Sequence, residues 1–229
     1  MKKSFLALRV IGAVLPIIFI CFSGCEKDDN NTVTDIDGNI YHTVSIGTQV
    51  WMVENLKVTH YQNGDTIPNV SDSTAWDDLT GGAYCDIFNN EANAFIYGHL
   101  YNWYAVNDSR KLCPVGWHVP TDDDWEILIG NLGGEDVAGG KMKETDTIHW
   151  HSPNTGATNE SGFTGLPGGC RRHDGPFHYF TYYSFWWTAI QENSQLAWYR
   201  SLVHDTPGIF LNHYGKDYGL SVRCVRDRK

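Results

Sequence analysis

The chain has 229 residues, with 27 acidic against 17 basic side chains and a net charge of −10. That balance argues against nucleic acid and against direct binding to anionic lipid, and it is compatible with cation binding. Aromatic residues make up 14% of the chain, nine of them Trp, which points either to aromatic-heavy packing in a loop-rich fold or to a surface that stacks on sugars. Packing is the default for most of them, because large rings bury the most area per residue.

The chain opens with Lys2, Lys3 and Arg9, then an apolar stretch from Val10 to Phe22, then Ser23 and Gly24. Charge, apolar run and small residues in that order predict a secretory signal over residues 1–24. The apolar run is about half the ~20 residues of a membrane span. Cys25, directly after the small pair, resembles the lipidated cysteine of a lipoprotein signal, and Glu26-Lys27-Asp28-Asp29 resembles the surface-export tag of Bacteroidota lipoproteins. The resemblance implies an outer-membrane lipoprotein, exposed at the cell surface and held by its N-terminal lipid. Removal of residues 1–24 leaves 14 basic against 27 acidic side chains, a net charge of −13.

Residues 25–34 are polar and without hydrophobic period, and read as a flexible tether. The domain is expected over residues 35–229. Asn39–Ile46 and Gln49–Val53, separated by Gly47-Thr48, read as a hairpin. Thr59–Gly82 reads as a long, irregular, ordered loop. A first helix is predicted over Asn93–Ala105, with Phe95, Leu100, Trp103 and Tyr104 on one broad face. A second starts after Thr121, whose capping-box position precedes Asp122, Asp123 and Asp124; Trp125, Leu128, Ile129 and Leu132 form its apolar face, and Gly133-Gly134 ends it. After Gly140 come irregular chain and short strands at Tyr183–Thr188, Leu196–Leu202 and Leu220–Val225. Two early helices, short late antiparallel strands and long ordered loops predict a single α+β domain.

Four groups of residues carry candidate chemistry. Cys85, Cys113, Cys170 and Cys224 form an even set in an exported domain, which allows two disulfides in three connectivities; none has zinc-ligand spacing. Asp86, Asn89, Asn90 and Glu91 put oxygen donors on one short segment, as calcium prefers, or else cap the helix that follows. His149 and His151 place two imidazoles near each other with no evident third metal ligand. The run from Arg171 to Trp187 is the richest recognition candidate. Its Gly and Pro favour exposure, Phe177, Tyr179 and Tyr182 can stack on sugar rings, and Arg171, Arg172 and Asp174 can hydrogen-bond hydroxyls, while Trp186 or Trp187 belongs to the core. No nucleophile elbow, activated cysteine or catalytic acid pair stands out.

Several motifs in order resemble the Fibrobacter succinogenes major paralogous domain. They are Gln49-Val-Trp-Met-Val-Glu-Asn-Leu56, Tyr97-Gly-His-Leu-Tyr-Asn-Trp103, Cys113-Pro-Val-Gly-Trp-His-Val-Pro120, Asn159-Glu-Ser-Gly-Phe163, Leu166-Pro-Gly-Gly169 and Ser221-Val-Arg-Cys-Val-Arg226. The family carries no established activity over. The Cys-Pro-x-Gly-Trp opening, Trp186-Trp187-Thr188 and the closing Val-Arg-Cys-Val are also distantly similar to C-type-lectin-like and formylglycine-generating-enzyme folds. That similarity implies a Cys113–Cys224 disulfide, which leaves Cys85 with Cys170. The lectins' Glu-Pro-Asn and Trp-Asn-Asp tripeptides are missing, so their calcium-and-sugar site does not carry over, and no cofactor is expected. The expected function is a non-enzymatic binding or adhesion domain whose partner is an extracellular glycan or a surface protein. The alternatives are an enzyme on glycans or cell-wall material, marked by two carboxyls about 5–10 Å apart in a deep pocket, and a structural protein with every Trp buried.

Overall fold

The structure, a computed structural model, describes residues 31–228; the signal segment and Cys25 lie outside the described residues. Strand β1 (Thr32–Thr34) pairs with β2 (Ile40–Ile46), so regular structure begins inside the stretch expected to be a tether. β2 turns at Gly47-Thr48 into β3 (Gln49–Met52), the predicted hairpin. With β6 (Trp117–His118) and β12 (Val225–Arg226) these strands form a five-stranded sheet in the order β1-β2-β3-β12-β6. β9 (Tyr183–Gln191), β10 (Leu196–Val203) and β11 (Ile209–Gly215) form a three-stranded antiparallel meander. Two short pairs, β4 (Tyr84–Cys85) with β5 (Leu100–Tyr101) and β7 (Cys170–Arg171) with β8 (Phe177–His178), complete the strands. The α+β class holds. Of the expected final strand only Val225–Arg226 runs as a ladder, while Leu220 and Ser221 make single bridges to Tyr101 and Trp186.

The first expected helix is broken. α2 (Glu91–Tyr97) stops at Gly98, whose φ is +76° and where a Cβ would lie 2.7 Å from that of Asn55. The chain then extends through β5 and restarts as α3 (Trp103–Val106), capped by Asn102 Oδ1, which accepts from Ala105 N at 3.1 Å. The single apolar face therefore does not exist, and Phe95 is 77% exposed. Two helices were not foreseen. α1 (Ser73–Asp77), capped by Asp72, lies in the expected irregular loop and buries Trp76. α5 (Glu135–Met142) contains Gly139-Gly140, a pair of low helix propensity. It is kept because the Gly208 carbonyl approaches to within 2.0 Å of where a Gly139 Cβ would stand.

α4 (Asp122–Asn131) forms as predicted, with Trp125, Leu128 and Ile129 buried. Its capping box is complete: Asp124 N donates to Thr121 Oγ1 at 3.3 Å and Thr121 N to Asp124 Oδ2 at 3.0 Å. Asp124 also meets His118 Nε2 at 3.0 Å and accepts from Arg228 at 2.9 Å, which ties the helix start to β6 and the chain end. Burial pushes the Asp124 carboxyl up, but its bonds to His118 and Thr121 outweigh this and hold it well below the usual range. The bond to Asp124 raises His118 in turn. Asp124 thus stabilises the fold above its ordinary value of 3.8 and loses that effect as pH falls through its lowered value. His118 stabilises fully below 6.5 and loses its effect as pH rises through its raised value. The melting-temperature loss in Asp124→Asn should therefore be larger at pH 6 than at pH 9; a pH-independent loss would leave only the capping bonds.

Long loops carry carbonyls that need donors, and buried cations supply them. Lys143 Nζ donates to the carbonyls of Thr155, Val203 and Thr206 at 2.8, 3.0 and 3.0 Å. Arg223 donates twice to Asn55 Oδ1 and once to the Phe163 carbonyl, with its guanidinium over the rings of Phe163 and Trp186. Cys113 and Cys224 form a disulfide with Cα atoms 6.0 Å apart, the pairing that the lectin-like similarity implied. Cys85 and Cys170 are buried free thiols, each pushed up to about 12 by burial, so the second expected bridge is absent. The reason is strand alternation. Cys85 lies beside the Arg171 side chain, whereas Cys170, the preceding residue in β7, packs in the separate cluster with Tyr199 and Trp187.

Candidate functional site: an aromatic groove and an acidic cleft

The expected recognition loop does not present one surface. Arg171 is fully buried and donates to the carbonyls of Gly175, Val70, Ser71 and Asp72, under the ring of Trp76 at 4.4 Å. It is a structural clamp and unavailable to a ligand. Phe177 packs on Phe88 with ring centroids 5.4 Å apart. Arg172 and Asp174 pair with each other at the surface, at 3.0 Å. Tyr182, 40% exposed, stacks on His151 at 4.2 Å and meets His204 edge-on. Tyr179 alone projects onto a larger aromatic surface.

That surface is one face of the β9–β10–β11 meander. Directly paired residues share a face, and the register places Tyr183 opposite Val203, Phe185 opposite Ser201 and Trp187 opposite Tyr199. On the other side of β10, Tyr199 faces Asn212 and Ser201 faces Phe210. The opposite face carries Trp186, Leu202 and Ile209 into the cluster around Trp125 and Trp150. The first face leaves a groove of about 400 Å³ lined by Tyr179, Tyr183, Tyr199, Phe210, Asn212 and Tyr214, among others. Its floor is built of tilted and stacked rings, Tyr183 on Phe185 at 5.4 Å and Tyr199 on Tyr214 at 4.5 Å. Tyr179, 48% exposed, and Phe210, 44% exposed, form its walls. Tyr179 holds φ = +62°, a conformation that a bulky side chain rarely adopts and that a functional site can retain. Eight of the nine Trp residues are buried, so stacking capacity at the surface rests on Tyr and Phe.

A second concavity, of about 460 Å³, lies between the β1–β2 turn and α2. Its lining includes Asp37, Lys57, Tyr84, Asp86, Glu91, Phe95 and His99. Asp86 and His99 are 8% and 7% exposed and meet at 2.7 Å between Oδ1 and Nδ1, with the Tyr84 ring 4.4 Å from the imidazole. Burial raises Asp37, but bonds from Thr59 and His60 outweigh it and keep the carboxyl ionised. The four residues expected as calcium donors are divided here. Asp86 pairs with His99, Asn89 donates to the Ser71 carbonyl, Asn90 caps α2 by accepting from Ala92 N, and Glu91 stands in its first turn. No group of three metal-ligating side chains forms among the described residues, at this segment or at His149, which pairs with Glu144.

Residues 44–226 match the family model of the Fibrobacter succinogenes major domain. The chain belongs to this family. No curated protein and no solved structure matches it. Within the Fibrobacter domain the match spans every residue of the groove, whereas Asp37 of the cleft precedes it. Of the groove residues, sequence reasoning named only Tyr179. Phe210, Asn212 and Tyr214 were missed because β11 was not recognised, and Tyr199, on the foreseen β10, was not assigned to a binding face. The alternation Phe210, Asn212, Tyr214 was the available signal.

Proposed function

We propose that this Fibrobacter-family domain is the non-enzymatic binding module of a cell-surface lipoprotein, and that its groove on β9–β11 takes extracellular carbohydrate. One observation carries the reading: a half-open trough of about 400 Å³ floored by tyrosine rings, with Asn212 and Ser201 between them. Pyranose rings present C–H faces that pack on aromatic planes, while their hydroxyl edges need polar partners. The anchor part rests on Cys25 and the residues before it. The Cys113–Cys224 bridge, from the first half to the residue just before β12, supports a C-type-lectin-like arrangement as the finer description of the α+β fold.

A glycan array of the full chain in mild detergent, run with and without calcium, tests the function. Binding to at least one glycan class is expected in both conditions. In a Tyr179→Ala, Phe210→Ala double variant the signal should fall at least about tenfold, the worth of ~1.4 kcal/mol, with the melting temperature little changed because both rings are exposed. Tyr182→Ala should leave binding intact, since that ring faces His151 and His204. An array without hits, or full binding by the double variant, would remove the groove from consideration.

A further inference from the structure

We propose that the cleft between the β1–β2 turn and α2 is a second ligand site, and that it takes an amino sugar with a free ammonium group. The inference does not rest on the groove. The cleft, at about 460 Å³, is large enough for one or two hexose units. Its lining carries Asp37, Asp86 and Glu91 against Lys57, with His60 bonded to Asp37 and His99 to Asp86, so the formal balance stays acidic and favours a cation. Two further observations mark it as built for a ligand. The Asp86–His99 pair is more than nine-tenths buried, an arrangement whose desolvation cost the fold would avoid with apolar residues. His99 Nε2 and Asp86 Oδ2 have no hydrogen-bond partner among the described residues, yet neither is sealed from solvent, so both remain open to the cleft they line. Phe95 stands at the cleft, 77% exposed, on the solvent side of α2, where helix packing gives it no role. An aromatic face, two polar atoms of a largely buried pair left free toward solvent, and surplus carboxylate together match a sugar ring that carries an amine. A neutral hexose would leave Glu91 without a cationic partner from the ligand.

The test uses the full chain in mild detergent and two probes, the β-linked glucosamine disaccharide and its N-acetylated form, measured by calorimetry at low salt. Saturable binding of the free amine at least tenfold tighter than of the acetylated sugar is expected. Glu91→Gln and Phe95→Ala lie on the exposed side of α2 and should fold normally; each is expected to weaken the free amine at least threefold. The Tyr179→Ala, Phe210→Ala variant should bind it unchanged, which separates this site from the groove. Equal affinity for the two probes, no saturation by about 20 mM, where a site is worth little more than 2 kcal/mol, or loss of binding in the groove variant instead of the cleft variants would overturn the proposal.

Discussion

Arg171→Ala is expected to lower the melting temperature by about 10 °C and to leave glycan binding per folded molecule unchanged. The guanidinium is fully buried, sandwiched against Trp76, and satisfies carbonyls on the 70–72 segment and at Gly175. Truncation removes those donors, opens a cavity under Trp76 and leaves the Val70 and Gly175 carbonyls without their side-chain partner, while the Ser71 and Asp72 carbonyls keep their bonds from Asn89 and the Trp76 N–H; the cost is roughly 3–5 kcal/mol. For a domain of this size each kcal/mol corresponds to ~2–4 °C. Arg171→Lys should recover little, because one ammonium cannot span the same fork of acceptors. Arg172→Ala is the control. Its ion pair with Asp174 is exposed, and such pairs contribute ~0–1 kcal/mol. Thermal melts of the three variants, alongside array binding, separate a structural clamp from a ligand contact.

Removing the disulfide should have an effect of similar size. Cys113 and Cys224 are 111 residues apart, and closing a loop of that length restricts the unfolded chain by ~4–5 kcal/mol in the entropic account. The Cys113→Ser, Cys224→Ser double variant should melt roughly 10–15 °C lower. Peptide mapping of the unreduced protein should recover Cys113 linked to Cys224, with Cys85 and Cys170 alkylated only after denaturation. A peptide joining Cys85 to Cys170 would contradict the structure.

What could be read from the chain followed physical locality. The α4 start was legible because Thr121 and Asp124 satisfy the helix's own orphan N–H groups within four residues. The hairpin at Gly47 was legible for a similar reason: turn and alternation sit side by side. The failures are tertiary. α5 contains a glycine pair that local propensity disfavours and that only the Gly208 carbonyl explains. Arg171 looked like a solvent-facing partner for hydroxyls, and nothing within the loop reveals that the carbonyls it holds lie about a hundred residues earlier. The aromatic run 177–187 was rightly seen as divided between core and surface, with Trp186 and Trp187 both buried. Its surface part is dispersed because Phe177 and Phe180 turn toward Phe88, Tyr182 toward the histidines and Tyr179 toward the meander. The groove joins residues of three strands, two of which were foreseen, and its outer wall on β11 was not.

The two concavities offer contrasting chemistry on one scaffold. The groove is tyrosine-rich and its exposed walls can be altered without touching the core. The cleft is acidic and centred on a buried pair, and its His99 also packs edge-on against Tyr101 in the main cluster. A ligand that bound only the cleft would move the function away from the meander altogether.

The most direct measurement is a backbone NMR titration of the labelled protein with the strongest array hit. The account predicts saturable shifts confined to the amides of residues 179–185, 199–203 and 210–214. Shifts confined to the surroundings of Tyr84, Glu91 and His99, or around Tyr182 and His204, would contradict the assignment of glycan binding to the groove.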